Sequence, residues 1–201
     1  MAGAHEHVEH AEHTEHVAHS NKKIALLIAV IALFLAFSET LGKSAQTSAL
    51  NYQIEASNLW NFFQAKNIRR TVTIVAAESA KSDALAASDP AHKEALAKQI
   101  DNWTKTAERY RSEPEAGGGK GEGTIELSRR ALEEQVKRDT ALARYHHYEI
   151  ASAAFQIGIV LCSAAVITGM IALAFVAGGL ALVGIAFTSI GLFVPHAIHL
   201  F

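Results

Sequence analysis

The chain has 201 residues and a formal net charge of -2, a balance that gives no basis for nucleic-acid binding. Its single cysteine, Cys162, excludes a disulfide within the chain and a thiol-only zinc site. Hydrophobic residues make up half of the chain and concentrate around 24–37 and after residue 150, whereas nearly all charges lie between 43 and 149, which is typical of an integral membrane protein.

The N-terminal segment 1–20, MAGAHEHVEHAEHTEHVAHS, has almost no large apolar side chains, so we predict a disordered tail. Its histidines mostly recur every third residue among glutamates: His5, His7, His10, His13, His16 and His19. Imidazole and carboxylate groups bind zinc, nickel or copper, which would let the tail capture a divalent transition metal. The alternative is a solvated polar tail that binds metal only as any histidine-rich peptide does.

The first apolar run follows Lys22 and Lys23, and 24–42 would span about 28 Å as a helix, close to one bilayer core. We therefore predict a transmembrane helix over 21–42. A cleaved signal peptide is the alternative, because a basic flank precedes an apolar core here. We rank it lower, since no small-residue cleavage site follows and the helical pattern continues.

The middle section, 43–148, is predicted to be a helical domain outside the membrane. Helical periodicity continues from the first span to Ser88-Asp89-Pro90, a second helix covers about 91–111, the glycine-rich segment 113–123 forms a loop, and helix returns at about 124. Apolar residues recur at coiled-coil spacing along the first of these helices: Ala45, Ala49, Tyr52, Ala56, Leu59 and Phe63. Within the amide-rich segment 51–70 we expect a helix–helix interface rather than a ligand pocket, formed by Asn58, Trp60, Phe63 and Gln64.

Two further transmembrane helices are predicted over 149–176 and 180–201, with a break at 177–179. The fold class is thus an all-α membrane protein: three transmembrane helices with a long-helix, coiled-coil-like extramembrane section. The basic residues near the spans are more numerous on the side of the middle section (Lys43, Lys137, Arg138 and Arg144) than on the tail side (Lys22 and Lys23). This bias favours a cytoplasmic middle section.

The three-span arrangement brings a second polar cluster to one face of the membrane, at the ends of the spans: Glu39, His146, His147, Glu149, His196 and His199. Such a ring could bind a metal or relay protons. The alternative, which we favour, is that these side chains anchor the helices at the lipid headgroups, the ordinary use of polar residues there.

Two segments resemble a bacterial membrane family known only as a domain of unknown function, number four-three-three-seven. They are 56–69, ASNLWNFFQAKNIR, and 145–149, YHHYE, which leads into the second span. The resemblance covers about residues 20–195. It implies a membrane location and no activity, and the histidine tail is richer than the family pattern requires.

The sequence contains no P-loop, dinucleotide fingerprint or nucleophile elbow, so we predict that the chain is not an enzyme. We expect a multi-pass protein of the bacterial inner membrane, with the lipid bilayer and further copies of itself as partners, that serves as an oligomeric scaffold or accessory subunit. Metal handling through the tail or the polar cluster is the alternative, with a divalent transition metal as the only cofactor indicated. A pore built from several copies is disfavoured, because the spans carry few polar residues.

Overall fold

The computed structural model describes the backbone of residues 3–197 and the side chains of residues 22–197. Four helices follow one another: α1 (Gly3–Ala86), α2 (Pro90–Arg111), α3 (Thr124–Thr168) and α4 (Ile171–Phe193). The prediction of an all-helical fold is confirmed for this part of the chain. Two compact units share these helices: the apolar unit, Met1–Ala49 with Asp139–Phe201, and the polar unit, Leu50–Arg138. The polar unit falls inside the 43–148 section predicted from the sequence.

The backbone of the tail differs from its predicted disorder. Helix α1 begins at Gly3, so most of the segment 1–20 is helical. Alanine and glutamate are good helix formers, and the segment has no proline to interrupt them. A segment without a hydrophobic core of its own can therefore be helical when it continues directly into the apolar run.

The boundary between α1 and α2 lies where the sequence predicts it. The Asp89 carboxylate accepts hydrogen bonds from the backbone N–H groups of Ala91 and His92, both at 3.2 Å, and so caps the start of α2. Pro90 occupies the first helical position, where its missing N–H is not needed. An aspartate followed by proline thus ends one helix and begins the next.

The break between α3 and α4 lies earlier than predicted. It occurs at Gly169 and Met170, not at 177–179, so the last two spans run to Thr168 and from Ile171 instead of 149–176 and 180–201. Gly169 adopts a φ of 70°, and its N–H donates to Ala165 O at 2.9 Å, which is a left-handed helix end that glycine favours. Gly178 and Gly179 lie inside α4, where the helix continues through them. Helix α4 ends at Phe193, and 198–201 lie outside the described residues.

The core of the apolar unit is made where α1, α3 and α4 meet. Ile31, Phe155, Cys162 and Ala177 are at most 1% exposed there. On α4 the contacts to α3 run along small residues seven apart, the α4 ridge: Ala177, Gly184 and Gly191. Small side chains allow the two helices to approach closely, as is common between membrane helices.

Three helical segments are long and apolar enough to cross a membrane: α1 from Lys22 onward, α3 and α4. Only 17%, 33% and 17% of their most apolar windows is buried within the chain. Most of this apolar surface therefore faces outward, as it would toward lipid. The number of candidate spans matches the sequence prediction.

Candidate functional site

Among the described members of the predicted polar cluster, His147 is the most buried. Its side chain is 0% exposed, and Nε2 lies 3.0 Å from the carbonyl oxygen of Pro195. Since a carbonyl oxygen only accepts, Nε2 donates its N–H in this contact. Among the residues described, Nδ1 has no hydrogen-bond partner. His147 therefore connects α3 to the end of α4, and Nε2 is not available as a metal ligand in this arrangement.

The other members of the cluster find separate partners. Gln156 donates to the Glu39 carboxylate at 3.3 Å, Nδ1 of His146 lies 3.7 Å from Glu149, and Nε2 of His196 lies 3.1 Å from the Thr140 hydroxyl.

No group of three or more His, Cys, Asp and Glu side chains converges within the part of the chain whose side chains are described. His199 and the side chains of the tail histidines lie outside that part, so metal binding by the tail stays a prediction. The described members of the cluster make separate pairwise contacts, of which Glu39–Gln156 joins α1 to α3 and His146–Glu149 lies within α3.

In the polar unit, Lys66 is a buried cation that lies close to two carboxylates. It is 6% exposed, and its ammonium group lies 3.1 Å from Glu113 and 3.7 Å from Glu122. The rings of Phe62 and Tyr110 lie 5.4 and 5.9 Å from the same nitrogen, within the range of cation–π attraction. A buried lysine on α1 thus holds the two acidic residues that begin and end the glycine-rich loop.

Glu126, in the first turn of α3, contacts the start of the same loop. Its carboxylate accepts from the Ser112 hydroxyl at 2.6 Å and from the backbone N–H of Glu113 at 3.3 Å. Burial by itself would raise the pKa of Glu126, but the hydrogen bonds from Ser112 and from backbone N–H groups outweigh it and hold the pKa below its ordinary value. The carboxylate therefore stays charged. Together, Lys66 and Glu126 hold the two ends of the loop in place.

The four residues predicted to form a helix–helix interface divide into two pairs. Trp60 and Phe63 meet edge to face at 5.3 Å between ring centres and pack against the buried core of the polar unit on α1 and α3. Asn58 and Gln64 are exposed. The aromatic pair therefore packs within the chain, whereas the amides are free to meet something outside it.

Helix α1 carries a second periodic face, which lies opposite the buried one. It contains five large apolar residues, each more than half exposed, together with exposed small and amide residues at spacings of three and four. We call this set the α1 stripe: Leu50, Ile54, Asn58, Asn61, Ala65, Ile68, Val72 and Val75. The stripe predicted from the sequence lies on the opposite, buried face of α1, since its members Ala56 and Leu59 are buried.

Two features of these sites were missed at the level of sequence. Lys66 lies inside the segment 56–69 that carries the family resemblance, yet nothing in its spacing indicates ion pairs with the loop. The sequence does carry a signal for the α4 ridge, because the small residues Ala177, Gly184 and Gly191 recur every seven residues.

Comparison with known proteins gives a family and no activity. No curated protein and no solved structure matches the chain. The pattern of the family described as a domain of unknown function, DUF4337, matches residues 20–194. The matched region contains the candidate spans, the Lys66 network, the α1 stripe and the α4 ridge. The chain belongs to the DUF4337 family.

Proposed function

We propose that this protein is anchored in a lipid bilayer by α1, α3 and α4 and assembles with copies of itself through the α1 stripe. It would serve as a non-enzymatic scaffold or accessory subunit. The observation that carries the proposal is a long apolar face with coiled-coil spacing, exposed on a helix outside the predicted spans.

Membrane anchoring is supported by where the apolar unit exposes its large side chains. Leu33 is 70% exposed, Phe175 77% and Leu182 69%, each on a segment apolar enough to span a bilayer. Burying such side chains in lipid instead of water stabilises each by about 1.5–3 kcal/mol. The bacterial inner membrane is part of the proposal, and so is a cytoplasmic polar unit, an orientation that the basic residues near the spans favour.

Lipid does not explain the exposed apolar side chains of the α1 stripe, because the stripe lies in the polar unit, which is rich in charge and where lipid is not expected. Ile54, Ile68 and Val72 are 59%, 63% and 63% exposed. Large exposed apolar side chains that recur along one face of a water-facing unit are typical of a protein interface. The spacing of three and four residues matches the seam of a two-stranded coiled coil.

A second copy of the chain fits the stripe for two reasons. The stripe contains no charged residue, so it needs no oppositely charged partner, and the amides of Asn58 and Asn61 can each donate to and accept from the same residue in another copy. Copies inserted in one membrane in one orientation would also present α1 in parallel. Asn58 would then meet Asn58, and a buried amide of this kind fixes the register of a coiled coil.

The test is the size of the full chain in mild detergent, measured by light scattering, with charges placed on or beside the stripe. We expect the wild type to be oligomeric and the double variant Ile68→Glu, Val72→Glu to be monomeric, since two carboxylates per helix would repel their counterparts across the seam. The matched control is Asn67→Glu, Thr71→Glu, which places the same charges at the same spacing on exposed positions outside the stripe. It should remain oligomeric.

Circular dichroism should be unchanged in both variants, because all four positions are exposed. A wild type that is monomeric at every concentration, or a stripe variant that keeps the wild-type size, would refute self-association through this face.

A further inference from the structure

The apolar unit contains an open groove of about 500 Å³ between α1 and α4. Leu27, Phe175 and Leu182 line it together with Gly178 and Gly179, and Lys23 is the one charged residue of its lining. A side chain at either glycine would meet nothing within 4 Å, so both glycines face open space.

The groove has the length of a single lipid leaflet. Along α4 it runs from Ile171 to Leu182, which corresponds to about 16 Å of helix. Half of a bilayer core is about 15 Å. Lys23 and Ile171 both line the groove, and they mark respectively the start of the apolar run of α1 and the start of α4. The groove would therefore begin at the membrane surface and end near the middle of the bilayer.

We infer that the groove binds an acyl chain of an anionic phospholipid, whose phosphate is held by Lys22 and Lys23. Both lysines are exposed, next to each other in the chain, at the end where a headgroup would lie. Each basic residue near a membrane surface attracts anionic lipid. The inference rests on the proposed membrane anchoring and is independent of self-association through the α1 stripe.

The charge at the groove argues for lipid over a second copy. A second copy inserted in the same orientation would bring its own Lys22 and Lys23 to the same depth, where like charges repel. An anionic headgroup neutralises them instead, and its acyl chain matches the apolar lining below Lys23.

Native mass spectrometry of the full chain in detergent tests this directly, by titration with phosphatidylglycerol or phosphatidylcholine of identical acyl chains. We expect phosphatidylglycerol to bind about tenfold more tightly or better, as two lysines at a headgroup imply. The double variant Lys22→Ala, Lys23→Ala should lose this preference. Lys43→Ala is the matched control at the other end of the same span, and it should keep the preference.

A second variant tests the groove itself. Gly179→Leu places a bulky side chain in the groove, where its first carbon would meet nothing within 4 Å, and it should weaken the binding of both lipids about tenfold or more. Ala172→Leu adds the same bulk at an exposed position of α4 outside the groove, and it should bind as the wild type does.

Three results would overturn the inference. Equal binding of the two lipids by the wild type, or a preference that survives loss of both lysines, would rule out recognition of an anionic headgroup by Lys22 and Lys23. Full lipid binding by Gly179→Leu would rule out the groove as the binding site. A change in oligomer size in Gly179→Leu with unchanged lipid binding would assign the groove to a second copy.

Discussion

Replacing Lys66 by methionine is expected to destabilise the polar unit by about 3 kcal/mol, at the lower end of the range for breaking a buried ion pair. Methionine keeps most of the volume but leaves Glu113 and Glu122 without their shared cation. Their side chains are 31% and 35% exposed, so water would partly solvate the remaining charges, and this places the expected loss at the lower end. The loop between the two glutamates would then keep its contacts to Glu126 and Arg130 but lose the buried cation that links its two ends.

Tryptophan fluorescence measures this loss in the polar unit specifically, because the only two tryptophans, Trp60 and Trp103, both lie there. Denaturant unfolding of the full chain in detergent would give the difference in free energy. Lys105→Met is the matched control, since Lys105 pairs with Asp101 at 2.6 Å on the surface, with side chains 74% and 57% exposed. It should cost less than about 1 kcal/mol.

Adding Glu113→Gln and Glu122→Gln to the Lys66 variant should recover part of the stability, because the unpaired charges are then gone. Equal stability of Lys66→Met and Lys105→Met would mean that Lys66 does not hold the loop.

The substitution Gly184→Leu is expected to have the largest effect in the apolar unit. Even the first carbon of a side chain at Gly184 would lie 2.6–2.9 Å from ring atoms of Phe155, which is itself 0% exposed. The ring is enclosed by the core, so relieving the clash requires either displacing the ring within the core or separating α3 from α4. Overpacking of this kind costs about 1–3 kcal/mol and occasionally more.

Cys162 reports on this unit, because it is the only cysteine and is 0% exposed in the core that α3 shares with α1 and α4. Its labelling by a thiol-reactive fluorophore during heating should begin at a lower temperature in Gly184→Leu than in the wild type. Gly179→Leu is the control on the same helix, where the first carbon of a side chain would meet nothing within 4 Å, and its transition should not fall. Identical labelling curves for the two leucine variants would contradict close packing along the α4 ridge.

Much of the helical framework could be predicted because its signals are local. Asp89 and Pro90 carry the chemistry of a helix start, and the glycines of 113–123 and the apolar runs need no knowledge of distant residues. The break before α4 was placed wrongly for the opposite reason. Gly169, Gly178 and Gly179 all permit a turn, but the packing of the helices decides which of them adopts the left-handed conformation.

The candidate sites depend on contacts between distant residues, which periodicity does not provide. Helix α1 has two periodic faces, and spacing alone does not decide that Leu59 is buried while Ile68 is exposed. Lys66 finds Glu113 47 residues further along the chain, across a helix end and a second helix. His147 likewise finds an acceptor in a carbonyl oxygen of Pro195, which no side-chain pattern could reveal.

The most direct test of the account is the side of the membrane on which single cysteines react with an impermeant maleimide, in a Cys162→Ala background. Lys22→Cys, Met170→Cys and Lys98→Cys sample the tail side of α1, the break before α4 and the polar unit, all at exposed positions. Membrane anchoring by three helices predicts that positions 22 and 170 react from one side of sealed vesicles and position 98 from the other. Reaction of all three from the same side, or release of the protein from membranes by alkaline buffer alone, would contradict it.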